Sequence, residues 1–280
     1  MYDDTDRKVV LITGCSSGIG AHCARRLMQD GWRVIASARK PDDIAALQAA
    51  GIEAFPLDYA DANSIASFFD NAMTATGGRC DALYNNGAIS QLGAVEDLTT
   101  DALRHQFEVN FFGYHELTRH VLPVMRAAGH GRIVHCSSIL GRVPVRWSGA
   151  YNASKYALEG LALTQRMELE GTGIHVSLIE PGPIDTNIAT NALDHFLANV
   201  DQDKSPYGTD YLKRISILKG EPGARRRKDG PETVYKALRH ALTARRPRAH
   251  YPVTVKAKLG LLAQRLLPPG LLYKLLIRSQ

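Results

Sequence analysis

The feature that most limits what this chain can become lies at residues 8–20. Residues 8–13 (KVVLIT) form a β-branched, nearly unbroken apolar run, the composition of a strand buried on both faces. The run passes straight into Gly14-Cys15-Ser16-Ser17-Gly18-Ile19-Gly20, and residues 19–29 then take helical apolar spacing. Glycines allow a tight turn and let a diphosphate approach the backbone, while the helix N-terminus offers free N–H groups and a favourable dipole. Glycines also make ordinary loops. Placement directly after the first strand is what turns this one into a nucleotide-binding expectation.

The alternation continues. Apolar runs at 32–37, 52–57, 82–85, 132–136 and 174–179 read as strands, and 42–50, 62–76, 101–128 and 149–170 as helices. Short connections between alternating elements predict an α/β protein: a single-domain, Rossmann-type, doubly wound parallel sheet with helices on both faces. The rhythm breaks after Pro181. Residues 183–230 are polar and punctuated by glycine and proline, too long for an ordinary connection, and read as a substrate lid. Helix resumes at 231–245, and 249–253 suits a last strand. The predicted organisation is a dinucleotide-binding domain over 1–255, with its lid at about 183–230, and a C-terminal amphipathic appendage over 256–280.

Charge is unevenly distributed. Residues 1–200 hold 16 Lys and Arg against 22 Asp and Glu, whereas 201–280 hold 18 against 6. The densest run, Arg225-Arg226-Arg227-Lys228, has no interleaved aromatic residue, which argues against nucleic acid as a partner. Four cysteines without CxxC or metal-ligand spacing predict a reduced, cytoplasmic setting and no metal site. No apolar stretch reaches the length of a membrane span.

The second strand closes on Ala36-Ser37-Ala38-Arg39-Lys40. An NAD-binding fold carries an acid here for the ribose 2′-hydroxyl. This chain offers Arg39, whose guanidinium suits a 2′-phosphate, so NADP(H) is the preferred cofactor, with NAD(H) not excluded. Asp58, just past the third strand, is placed either to accept from an adenine amino group or simply to shape a turn. Further on, Tyr151 and Lys155 stand at i and i+4, one helical turn apart on one face. A phenol titrating near 10 is a poor proton carrier at neutrality, and a neighbouring ammonium lowers that value.

Taken together, TGCSSGIG at 13–20, Asp58, NNGA at 85–88, Asn110, the serines 137–138, YNASK at 151–155 and PGPIDT at 181–186 resemble the short-chain dehydrogenase/reductase superfamily in its shorter, non-extended branch. The resemblance spans about residues 7–190. An extended-branch epimerase would show TGxxGxxG instead. The resemblance implies an alcohol/carbonyl oxidoreductase. Tyr151 would be the general acid/base and Lys155 its pKa-lowering partner and ribose ligand. Ser138 would hold the substrate oxygen, and Asn110 a relay water. Gly14, Ser16, Ser17, Gly18, Ile19, Gly20, Arg39, Asp58, Asn85, Tyr151, Lys155, Pro181, Gly182, Ile184 and Thr186 would line the cofactor site. One departure is Gly87-Ala88 where the family has Ala-Gly, which moves a glycine's freedom by one position. The substrate is expected to be a small alcohol, ketone or aldehyde, lipophilic in the manner of a steroid or retinoid, with Trp147, His195, Phe196, Tyr207 and Tyr211 available to a lid pocket. A homodimer or homotetramer is expected through 101–128 and 149–170. Non-catalytic nucleotide sensing and membrane-surface lipid handling are the competing readings. The leucines of 259–277, interspersed with Lys and Arg, suit either peripheral membrane contact or a pocket cap or subunit contact; the family commonly uses its C-terminus in the latter way.

Overall fold

The computed structural model describes residues 7–219 and 229–278, so the basic run at 225–228 lies outside the described residues. Seven parallel strands form one sheet in the order β3-β2-β1-β4-β5-β6-β7. The strands are β1 (Val9–Ile12), β2 (Arg33–Ala38), β3 (Glu53–Pro56), β4 (Ala82–Asn85), β5 (Gly131–Cys136), β6 (Ile174–Glu180) and β7 (His250–Pro252). This is the doubly wound arrangement expected from the alternation. Its order reverses between β1 and β4, where a crevice opens at the strands' C-terminal ends.

The helices between them are α1 (Gly18–Gln29), α2 (Pro41–Ala49), α3 (Ala62–Thr76), α4 (Thr100–Phe107), α5 (Gly113–Ala128) and α6 (Gly149–Glu168). Strand periodicity sorts the core into two layers. Val10 and Ile12 point to the layer shared with Leu27 of α1, while Val9 and Leu11 point to the layer shared with Phe68, Leu117 and Leu158 of α3, α5 and α6. All four β1 side chains are buried, which is why no polar residue interrupts that run. Helix ends follow local chemistry. Asp61 caps α3 by accepting from Asn63 N–H at 2.9 Å, and Gly77 ends it in the left-handed conformation.

The stretch 101–128 is helical throughout but not uniformly α. A π-turn at Glu108–Phe112 separates α4 from α5. Beyond the sheet the chain adds α7 (Ile188–Asn199), α8 (Gly208–Lys219), α9 (Glu232–Thr243), α10 (Val255–Leu266) and α11 (Pro269–Arg278). The segment read as a lid therefore carries two helices. Its two ends are tied together, with Asp185 N–H donating to Asp229 C=O at 2.9 Å and Asp229 N–H to Pro183 C=O at 3.2 Å.

Candidate active site

Gly14 leaves β1 with φ +68°, and Gly18 opens α1 with φ +57°. A Cβ on Gly14 would stand 2.4 Å from Gly87 Cα, and one on Gly20 only 2.2 Å from Gly14 C=O. Side chains are thus excluded where the β1 and β4 ends converge. Ser17, at the N-cap of α1, makes no side-chain capping bond, so the helix's first N–H groups are left available to an anion. Thr186 closes over this turn, 3.0 Å from where a Gly18 Cβ would be. The residues present therefore fit a diphosphate. Arg39 and Lys40 stand exposed at the end of β2.

Thr13 holds the turn to the end of β4. Its hydroxyl oxygen accepts from Asn86 N–H at 2.8 Å and Gly87 N–H at 3.1 Å, while Asn86 Nδ2 donates to Thr13 C=O at 2.9 Å. Asn85 is spent inward. Its Oδ1 accepts from the Tyr59 hydroxyl at 2.6 Å, and its Nδ2 donates to Thr118 Oγ1 at 3.1 Å. Asp58 Oδ1 accepts from Ala60 N–H at 3.0 Å, a turn-forming bond. The Gly87-Ala88 inversion costs no backbone strain, because neither residue has a positive φ. Ile184 is buried in the core. Pro181 C=O accepts from Ile139 N–H at 3.0 Å, binding the cofactor-side strand end to the segment after Ser138.

Ser138, Tyr151 and Lys155 are all buried. The Tyr151 phenol is pushed up by burial and by the Cys136 thiol, and its hydrogen bond with Ser138 acts the other way. Lys155 Nζ donates to Cys136 C=O at 2.7 Å and lies 5.8 Å from the Tyr151 ring centroid and 5.1 Å from that of Tyr114. Burial lowers the Lys155 pKa to about 8, against Cys136 and Glu159, which raise it. The ammonium is thus directed at a carbonyl rather than at the phenol. Asn110 sits in the π-turn with its side chain engaged on both sides, Oδ1 accepting from Ile89 N–H and Nδ2 donating to Ile89 C=O, each at 2.9 Å. Cys15 and Cys136 are buried thiols with raised pKa values, burial being the chief cause, which leaves them poor nucleophiles.

One cluster was not anticipated. Glu159 follows Lys155 by one turn of α6 and meets Glu180 of β6 and His250 of β7, their ligand-type atoms all within 4.8 Å. His250 Nδ1 is 2.6 Å from Glu180 Oε1, and Arg142 Nη1 donates to the same oxygen at 3.3 Å. The guanidinium fills the cationic role beside Glu180. Glu159 is raised, chiefly by burial and then by Glu180. The i+4 spacing from Lys155 was a visible signal; the partners on β6 and β7 were not.

The lid aromatics gather in one place. Trp147 lies 4.7 Å from Tyr207 and 5.7 Å from Tyr211, and Phe196 4.9 Å from Tyr211, between ring centroids. Leu92, Arg214, Ile215 and Leu218 complete the lining of a small hollow there. Trp147 is the one described non-glycine residue with positive φ, at 62°. His195 stands apart from the hollow, its ring 6.2 Å from that of His105.

A hydroxyl, a phenol and an ammonium at the same sheet edge as an anion-ready glycine turn suit a nicotinamide-dependent oxidoreductase. Residues 8–195 match the family described as short chain dehydrogenase, and the chain belongs to that family, whose members act on CH–OH/C=O groups. Among relatives, it is 38% identical over 270 residues to the Escherichia coli K12 protein named uncharacterized oxidoreductase YbbO, covering 96% of this chain and 94% of that one. Among solved structures, a short-chain dehydrogenase from Streptomyces avermitilis superposes with TM-score 0.79 at 29% identity over 94% of each chain. A metagenomic short-chain oxidoreductase in complex with NADP superposes with TM-score 0.67 at 27% identity, covering 88% of this chain and 96% of the other. No helix among the described residues is long and apolar enough to cross a membrane.

Proposed function

We propose that the protein is an NADP(H)-preferring member of the shorter branch that reduces or forms a lipophilic carbonyl, working as a homo-oligomer in the cytoplasm. The observation that carries this reading is the buried Ser138–Tyr151–Lys155 set on the edge where Arg39 stands exposed. A nicotinamide held here would supply or accept the hydride. Gly14, Ser16, Ser17, Gly18, Ile19 and Gly20 would carry its diphosphate, Arg39 its 2′-phosphate, and Thr186 with Ile184 the carboxamide end. Tyr151 gives its phenolic proton to the substrate oxygen in reduction and takes it back in oxidation. Ser138 steadies the charge developing on that oxygen. Lys155 would donate to the cofactor's ribose, and its charge favours the phenolate. The hollow among Trp147, Phe196 and Tyr211 has no room for a water-sized body, so the lipophilic substrate rests on the family resemblance alone. Nothing in the site favours a non-catalytic sensor.

The test pairs cofactor titration with turnover on aldehydes, ketones and quinones. NADPH binds more tightly than NADH, and Arg39→Ala weakens NADPH by about ten- to a hundredfold while sparing NADH, as expected for a charged hydrogen bond. Tyr151→Phe keeps NADPH binding and loses roughly a hundredfold or more in turnover. Equal affinity for the two cofactors, or an active Tyr151→Phe, overturns the reading.

A further inference from the structure

The C-terminal helices bury one face and present another to solvent. Thr254 caps α10, its hydroxyl accepting from Ala257 N–H at 3.1 Å. Gly260 lies against Ile139 and Val143, and Gln264 Nε2 donates to Arg142 C=O at 2.5 Å. α10 is therefore seated on the turn that follows Ser138. Most of its large apolar residues take no part in that seat. Val255, Leu259, Leu262 and Leu266 are 70%, 59%, 52% and 68% exposed, and their i, i+4, i+7, i+11 spacing puts them in one stripe along the outer side. α11 is apolar on more than one side. Leu272 is buried, while Leu271, Tyr273, Leu275 and Ile277 are about half exposed.

Charge decides what fits this face. Residues 255–278 contain Lys256, Lys258, Arg265, Lys274 and Arg278 and no Asp or Glu. On α10, Lys256 falls on one flank of the stripe, and Lys258 and Arg265 on the other. A second copy meeting this face symmetrically would bring like charges together. A sheet of anionic headgroups over acyl chains matches both the apolar stripe and its cationic margins. At 12 and 10 residues, neither helix can span a bilayer; α10 has the length and pattern to lie in its interface, and α11 follows it with exposed leucines and the cations Lys274 and Arg278.

We propose that α10 and α11 seat the enzyme on an anionic lipid surface, with Leu259, Leu262 and Leu266 entering the acyl boundary and the five cations meeting the headgroups. The proposal concerns where the enzyme resides and stands whether or not the substrate reading above is right. It also differs from the pocket cap or subunit contact that the resemblance suggested, since the leucines in question point away from the body.

The experiment is flotation of the full-length protein with vesicles of pure phosphatidylcholine and with vesicles containing one third phosphatidylglycerol. The protein should float only with the anionic vesicles and be released by half-molar salt. Leu259→Glu/Leu262→Glu changes two exposed side chains, so it should keep its oxidoreductase turnover and lose flotation. Lys256→Gln/Lys258→Gln should weaken partitioning by about fivefold per cation. Light scattering on wild type and the leucine variant runs in parallel. Absence of flotation with anionic vesicles overturns the proposal. So does flotation that survives both pairs of substitutions, or a wild-type oligomer that the leucine variant breaks apart.

Discussion

Replacing Lys155 with methionine should make the cofactor-free protein more stable while destroying its activity. The Lys155 side chain is enclosed, 1% exposed, and donates to the Cys136 carbonyl at 2.7 Å. Burial draws its pKa from 10.5 to about 8. That displacement corresponds to about 3 kcal/mol by which the fold disfavours the ammonium at neutral pH. Methionine has a similar reach and no charge, but it leaves the Cys136 carbonyl without its donor, at about 1 kcal/mol. The variant should therefore be more stable by about 2 kcal/mol at pH 7.

The pH dependence makes the reasoning refutable. The unfolded chain keeps the lysine proton up to about pH 10.5, while the folded chain releases it above about pH 8. Wild-type stability due to this group therefore rises with pH between those values, because the unfolded state binds more protons there. The variant's advantage should fall from about 2 kcal/mol at pH 7 to about 1 kcal/mol at pH 9. Urea unfolding of the two cofactor-free proteins at pH 7, 8 and 9 measures it. A variant less stable than wild type at pH 7, or a gap unchanged by pH, would refute the argument.

Three further outcomes are expected. Gly20→Ala should cost about 1–3 kcal/mol and abolish nucleotide binding, since its Cβ would fall 2.2 Å from Gly14 C=O and 2.6 Å from Asn86 Nδ2; Gly87→Ala, with its nearest neighbour at 3.3 Å, should cost under about 1 kcal/mol in the same unfolding and titration assays. Glu159 is raised by burial and by Glu180, with Ser137, His250 and Arg142 opposing, so holding it folded becomes costlier as pH rises through its titration. Glu159→Gln should match wild type near pH 4 and gain on it toward pH 8 in urea unfolding; a gap that widens on acidification would contradict this. Burial, with Lys155 adding to it, pushes the His135 pKa down to about 3, so its ring resonances in NMR should stay in the neutral form from pH 8 to pH 5, and a midpoint near 6.5 would show the ring to be solvated.

How much was legible depends on whether an element's form is set by its own pattern. The strands β1, β2, β4, β5 and β6 are buried on both faces of a parallel sheet, and the edge strand β3 on one, so their apolar runs announce them to within a residue or two. The helical stretch expected at 101–128 is there, but its winding changes at 108–112, where a tertiary demand intervenes. Gln106 Oε1 accepts from Gln91 N–H at 2.7 Å, and Asn110 pairs with both backbone groups of Ile89. The chain inserts a π-turn to bring these amides against the segment after β4, and π-turns of this kind have no compositional mark. Residues 183–219 hid two helices for a related reason. Their apolar residues (Ala192, Leu193 and Phe196 on α7, Tyr211 on α8) pack on the loop at Leu92 and Ala94 rather than on the sheet, so the signal is short and its partner remote.

The site divides along the same line. Its motif residues sit at strand ends or on one helix face, where a sequence states their relation directly. Tyr151, Lys155 and Glu159 recur every four residues along α6, so a carboxylate one turn behind the ammonium was visible as spacing. What makes that carboxylate consequential was not visible. Parallel register sets Leu178 beside His250 and Glu180 beside Pro252, and only this register brings the ends of β6 and β7 onto Glu159. Glu180 is 0% exposed and Glu159 nearly so. Arg142, arriving from the turn after Ser138, supplies the neighbouring positive charge at 3.3 Å from Glu180. One helix thus carries the Tyr151 phenol and the Lys155 ammonium, and one turn further a carboxylate whose charge the rest of the sheet adjusts. Charge at Glu159 raises the Lys155 pKa, so the strands that shape Glu159 also bias whether Lys155 stays protonated.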